Sequence, residues 1–80
     1  MKTTKYFEFR REFPDRSMIL DSWICEVIAN AVRREVQEDG RIRLWGKVPE
    51  AGGKYLRVVL LEDQETVHNA FFDREFKEKE

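Results

Sequence analysis

The sequence predicts an α+β domain: a short N-terminal strand, one amphipathic helix and a four-stranded antiparallel meander. Apolar residues recur at intervals of three and four between Met18 and Ala31, then alternate with polar ones from Val32 onward. Turn signals at Asp39-Gly40, at Pro49-Glu50-Ala51-Gly52-Gly53 and at Asp63-Gln64 cut the alternating part into hairpins. Eighty residues hold one core, since a second would leave each half no longer than the roughly 40 residues below which chains usually need disulfides or metals to fold. The expectation is a single domain over 1–80 with residues 1–4 and 77–80 frayed.

Each element has its own local reason. Tyr6-Phe7-Glu8-Phe9 has the aromatic content of a short strand. Pro14-Asp15 marks a turn, and Asp15 or Ser17 can cap the helix that follows. Leu20, Trp23, Ile24, Val27, Ile28 and Ala31 form that helix's apolar face. At the first hairpin, a two-residue loop at Asp39-Gly40 would set Val36 against Arg43. A three-residue loop over Glu38-Asp39-Gly40, with Gly40 left-handed, sets Val36 against Ile42 and Glu35 against Arg43, so apolar meets apolar and opposite charges meet. The second hairpin joins Arg41–Val48 to Lys54–Leu61, and the third leads into Thr66–Phe72.

Side-chain parity then divides the sheet. Ile42, Leu44, Leu56, Val58, Leu60, Val67 and Phe71 are expected on the face under the helix. Arg43, Trp45, Lys47, Tyr55, Arg57, Val59, His68 and Ala70 are expected on the open face. In the tail after Phe72, Phe76 is the one evident apolar anchor.

Composition narrows the functional classes. The chain is 41% hydrophobic and 39% charged, too apolar for disorder and too charged for a membrane protein. No apolar run approaches the 18 or so residues that span a bilayer, and the N-terminus lacks a signal-peptide core, so a cytoplasmic location without membrane partners is expected. One cysteine, Cys25, and one histidine leave no cluster at metal-ligand spacing, and no phosphate loop is present, so no metal or cofactor is expected. Trp23 and Cys25 read as core or half-buried helix residues.

The net charge of −1 hides an asymmetry. Residues 1–61 hold twelve Lys/Arg against nine Asp/Glu, while residues 62–80 hold three against seven. The body is mildly basic, with Arg43, Lys47 and Arg57 interleaved with Trp45 and Tyr55 on the open face. Cations beside aromatic rings hold single-stranded RNA by phosphate contact and base stacking. The same residues also stabilise a polar sheet face without any ligand, by tenths to about one kcal/mol per cross-strand pair. His68 is the one side chain whose ordinary pKa lies near neutrality, and no triad accompanies it.

The run Asp39-Gly40-Arg41-Ile42-Arg43-Leu44-Trp45-Gly46, then Lys54-Tyr55-Leu56-Arg57-Val58-Val59, then Glu65-Thr66-Val67-His68-Asn69-Ala70-Phe71-Phe72-Asp73-Arg74, resembles a group of small bacterial proteins allied to the BrnT and RelE toxins. Pro14-Asp15-Arg16 and the helix Leu20 to Ala31 fit the same pattern. The resemblance implies a toxin-ribonuclease type of α+β domain that acts on RNA and is countered by an antitoxin-like protein partner. In such chemistry the ribose 2′-OH attacks the adjacent phosphate. His68 or Tyr55 would move the proton and Arg57 and Arg43 would hold the phosphate, with Arg43, Trp45, Lys47 and Arg57 as the binding set. The acidic tail departs from the usual strongly basic toxin. The alternative is a non-catalytic protein-interaction module or homodimer that uses the Trp45/Tyr55/Arg57 face or a sheet edge.

Overall fold

Two helices precede the sheet in the computed structural model, which describes residues 1–78. The elements are α1 (Lys5–Arg10), α2 (Asp21–Asn30), β1 (Arg33–Val36), β2 (Ile42–Val48), a 3₁₀ turn (Pro49–Ala51), β3 (Lys54–Leu60) and β4 (Val67–Phe72). The strands lie in the order β1-β2-β3-β4, all antiparallel, so the α+β class and the meander are as expected. Lys79 and Glu80, part of the end expected to fray, lie outside the described residues.

The expected N-terminal strand is a helix. Thr4 caps α1 by accepting the Phe7 N–H on its Oγ1 at 3.1 Å. Tyr6 and Phe9 fall at helical spacing on the outer side, and Phe7 alone is driven into the core. The extended backbone lies earlier: Thr3 forms a parallel bridge with Val67, flanked by Thr4 N–H to Val67 C=O at 3.0 Å and Val67 N–H to Lys2 C=O at 2.8 Å.

Helix α2 is shorter than the periodic run and starts after Leu20, without a side-chain cap from Asp15 or Ser17. Asp21 places a negative charge in its first turn and pairs with Arg11. Ile24 and Val27 are fully buried against β2 and β3, and Trp23 and Ile28 pack at the margin. Cys25, expected to be at least half-buried, is exposed, because it lies one turn from Asp21 on the outer face. The helix approaches the sheet at Gly46, where a Cβ would stand 2.8 Å from Val27 Cγ2.

The first two hairpins follow the expected registers. Val36 pairs with Ile42, Glu35 with Arg43, and Gly40 takes φ +87°. Ile42 through Val48 then pair with Leu60 through Lys54. The third hairpin departs from parity, because Val59 pairs with Asn69 while Leu60 pairs with Val67, leaving His68 as an extra bulged residue. Beyond the bulge the faces exchange. Ala70 pairs with Val58 and is buried in the core, whereas Phe71 pairs with Arg57 on the open face, the reverse of the parity reading.

Candidate nucleic-acid interface

One transverse row organises the open face. Antiparallel registry aligns Arg33 of β1, Trp45 of β2, Arg57 of β3 and Phe71 of β4 side by side. Cation and ring alternate along it. The Arg33 guanidinium lies 5.9 Å from the Trp45 ring centroid, and the Arg57 guanidinium lies 5.2 Å from Trp45 and 5.1 Å from Phe71. Arg16, from the loop between the helices, closes the row at 5.1 Å from Phe71, held by Nη1 donating to Asn69 Oδ1 at 2.7 Å. Such contacts contribute about 0.5–1 kcal/mol each where exposed and more where water is excluded.

The C-terminal segment lies across this row. Phe76 stacks on Trp45 with centroids 5.0 Å apart and 13° between planes, and meets Tyr55 edge-on at 5.0 Å. Asp73 Oδ2 accepts the Trp45 Nε1–H at 3.0 Å and stands 3.4 Å from Arg57 Nε. Tyr55 donates its hydroxyl to Glu78 Oε2 at 2.7 Å. Trp45 is therefore 4% exposed although it sits on the face that parity leaves open. Arg57 Nε is itself buried and makes no hydrogen bond, because its ion pair with Asp73 Oδ2 at 3.4 Å lacks the alignment of one.

The electrostatics follow these contacts. Burial pushes the Asp73 carboxyl upward, but the Trp45 indole, the Glu75 N–H, Arg57 and the Phe76 N–H together outweigh it and leave it below the ordinary carboxylate range. The hydrogen bond to Glu78, with burial and the Glu78 charge, raises the Tyr55 phenol. Each row cation has a carboxylate beside it: Asp73 by Arg57, Glu35 by Arg33 at 2.7 Å, and Asp15 by Arg16 at 3.3 Å.

The sequence-predicted site residues are only partly brought together. Trp45, Tyr55 and Arg57 share the covered patch, and Lys47 is exposed opposite Tyr55 at its margin. Arg43 lies between Glu35 and Val59, where Gln37, with its amide oxygen turned toward the guanidinium, accepts from Nη2 at 2.7 Å. His68 stands apart at the bulge, its ring stacked on Tyr6 at 4.9 Å and its Nδ1 3.1 Å from Thr4 Oγ1. Burial and then the Arg41 charge lower its pKa. The pairing of Val59 with Asn69 places His68 at least four residues along the sheet from Tyr55, or about 13 Å at the rise of a strand.

Comparison with protein-family models, with curated proteins and with solved structures finds no match.

Arg16, Arg33, Phe71, Asp73 and Phe76 are absent from the sequence-based binding set. Arg33 was within reach, because extending the chosen hairpin register by two residues sets it against Trp45. Phe71 was hidden by the bulge, and Arg16 by the turn that brings it to the far edge of the sheet. Among the described residues, no group of three or more His, Cys, Asp or Glu could hold a metal ion, and no helix is long and apolar enough to cross a membrane.

Proposed function

We propose that this protein binds single-stranded RNA on the Arg33-Trp45-Arg57-Phe71 row, and that its own C-terminal segment occupies that row in the absence of ligand. One observation carries the reading: the tail puts a flat ring on Trp45 and a carboxylate beside Arg57, the two chemistries that a base and its phosphate would supply. The buried, unbonded Arg57 Nε is a donor that a better-aligned phosphate oxygen would satisfy. The resemblance to the BrnT and RelE toxins supports RNA as the ligand and an antitoxin-like protein as a partner.

Binding fits the geometry better than cleavage does. His68 and Tyr55, the two candidate proton carriers, stand at different ends of the sheet. The Tyr55 hydroxyl is engaged by Glu78 with its pKa raised, so it stays protonated near neutrality and offers little phenolate to accept a proton.

Fluorescence anisotropy of the full chain with a labelled single-stranded oligoribonucleotide tests the reading. Affinity is expected to fall steeply with salt as counterions are released, to rise in Asp73→Asn with Phe76→Ala, and to be lost in Arg57→Ala while the RNA stays intact on a gel. Absence of salt-sensitive binding in both the natural chain and the tail variant would refute RNA as the ligand.

A further inference from the structure

We infer that the outer edge of β1 receives a second copy of this chain, joined antiparallel about a two-fold axis through Arg34 to make one continuous eight-stranded sheet. The two edges of the sheet are treated differently. Along β4, Val67 bonds to Lys2 and Thr4, the Ala70 N–H is taken by Asn69 Oδ1 at 3.0 Å, and the Ala70 C=O faces Arg16 Nη1 at 3.5 Å. Along β1, the bond from Gln37 N–H to Arg41 C=O shows that odd-numbered residues face β2, so Arg34 and Val36 turn their N–H and C=O outward. Among the described residues, no strand pairs with that edge.

The side chains select the occupant and the register. An outward residue can exchange hydrogen bonds only with another outward residue, so a two-fold axis can pass through Arg34, Glu35 or Val36. An axis at Glu35 sets Glu35 against its own copy. An axis at Val36 runs the pairing into the turn at Gln37–Gly40. An axis at Arg34 sets Arg33 against Glu35 of the second copy, twice by symmetry. Val36, 60% exposed, lies just beyond these pairs, because Val32 is a bend residue whose N–H bonds inward to Trp45 C=O at 2.8 Å and so is not an outward partner for it. Opposite charges thus recur on both sides of the axis, a self-complementarity that an isologous interface requires. The central Arg34 pair is the one like-charge contact, and each guanidinium points toward Gln64 of its own chain, at 3.4 Å. A strand this short buries less than the roughly 1,200 Å² of standard interfaces, so association depends on concentration.

This inference stands independently of RNA binding and is tested by sedimentation equilibrium of the full chain from micromolar to millimolar concentration. A monomer–dimer equilibrium is expected. Glu35→Arg and Arg33→Glu should each weaken it about tenfold, and the double reversal should restore it to within about threefold. Val36→Asp, at an exposed site, should weaken it without touching the core. Concentration-dependent amide shifts should centre on Val32–Val36. A monomer throughout, a dimer indifferent to both single reversals, or amide shifts centred on α1 would each overturn the inference.

Discussion

The Phe76 ring lies flat on the Trp45 indole, at 5.0 Å between centroids, and makes a strand residue on the sheet's open face as inaccessible as the core. Phe76→Ala removes that cover. The expected cost is about 1–2 kcal/mol, from lost apolar burial and stacking. Urea denaturation should show it, and in a Trp23→Phe background the remaining Trp45 emission should shift to the red. An unchanged midpoint and spectrum would mean that the tail does not rest on the row.

Acid should weaken the turn of the third hairpin. The Asp63 carboxyl is held at about 2 by the Thr66 hydroxyl and the N–H groups of Thr66 and Glu65. Its folded value is depressed, so its contribution is complete above the ordinary carboxylate range and is lost as pH falls toward about 2. Asp63→Asn keeps an acceptor but not the charge. Its urea midpoint should therefore vary less than that of the natural chain between about pH 5 and pH 2.5, and parallel curves would contradict this account.

His68 should titrate below its ordinary value. Burial and the Arg41 charge disfavour its cation, and with the Thr4 oxygen already accepting from the Phe7 N–H, the Thr4 hydroxyl proton is free to donate to Nδ1 of the neutral ring. The depressed value means that stability from this group is present above about pH 6.5 and declines as pH falls through the folded pKa. Thr4→Val removes both contacts. It should raise the His68 pKa in an NMR titration and cost about 1 kcal/mol as a lost helix cap.

Gly46 is expected to be intolerant of alanine. The added Cβ would meet Val27 Cγ2 at 2.8 Å and push α2 off β2, at a cost of about 1–3 kcal/mol. Val27→Ala is itself destabilising because it opens a cavity, but combined with Gly46→Ala it should cost less than the two single changes added together. Additive midpoints would show that the two residues do not share the contact.

Much of this was legible where neighbours in sequence decide the outcome. The Glu38-Asp39-Gly40 loop could be chosen by matching Val36 to Ile42 and Glu35 to Arg43, because a hairpin's partners lie within a few residues and its register decides every contact at once. Helix α2 was equally readable, since Ile24 and Val27 repeat at the helical period. The N-terminal segment misled for a local reason: Tyr6-Phe7-Glu8-Phe9 has a strand's composition, while the Thr4 cap and the i,i+3 spacing of Tyr6 and Phe9 carry the helix signal.

By itself, then, the sequence determined a one-core α+β chain, its meander and the aromatic and cationic residues from which a site could be built. Tertiary structure alone decided which of those residues meet. The bulge at His68 exchanges Ala70 and Phe71 between faces, and a single extra residue in a strand leaves no periodic trace. The return of Asp73 and Phe76 over Trp45 depends on a buried surface that exists only once four strands have aligned, and no residue near Phe76 in the sequence records its partner.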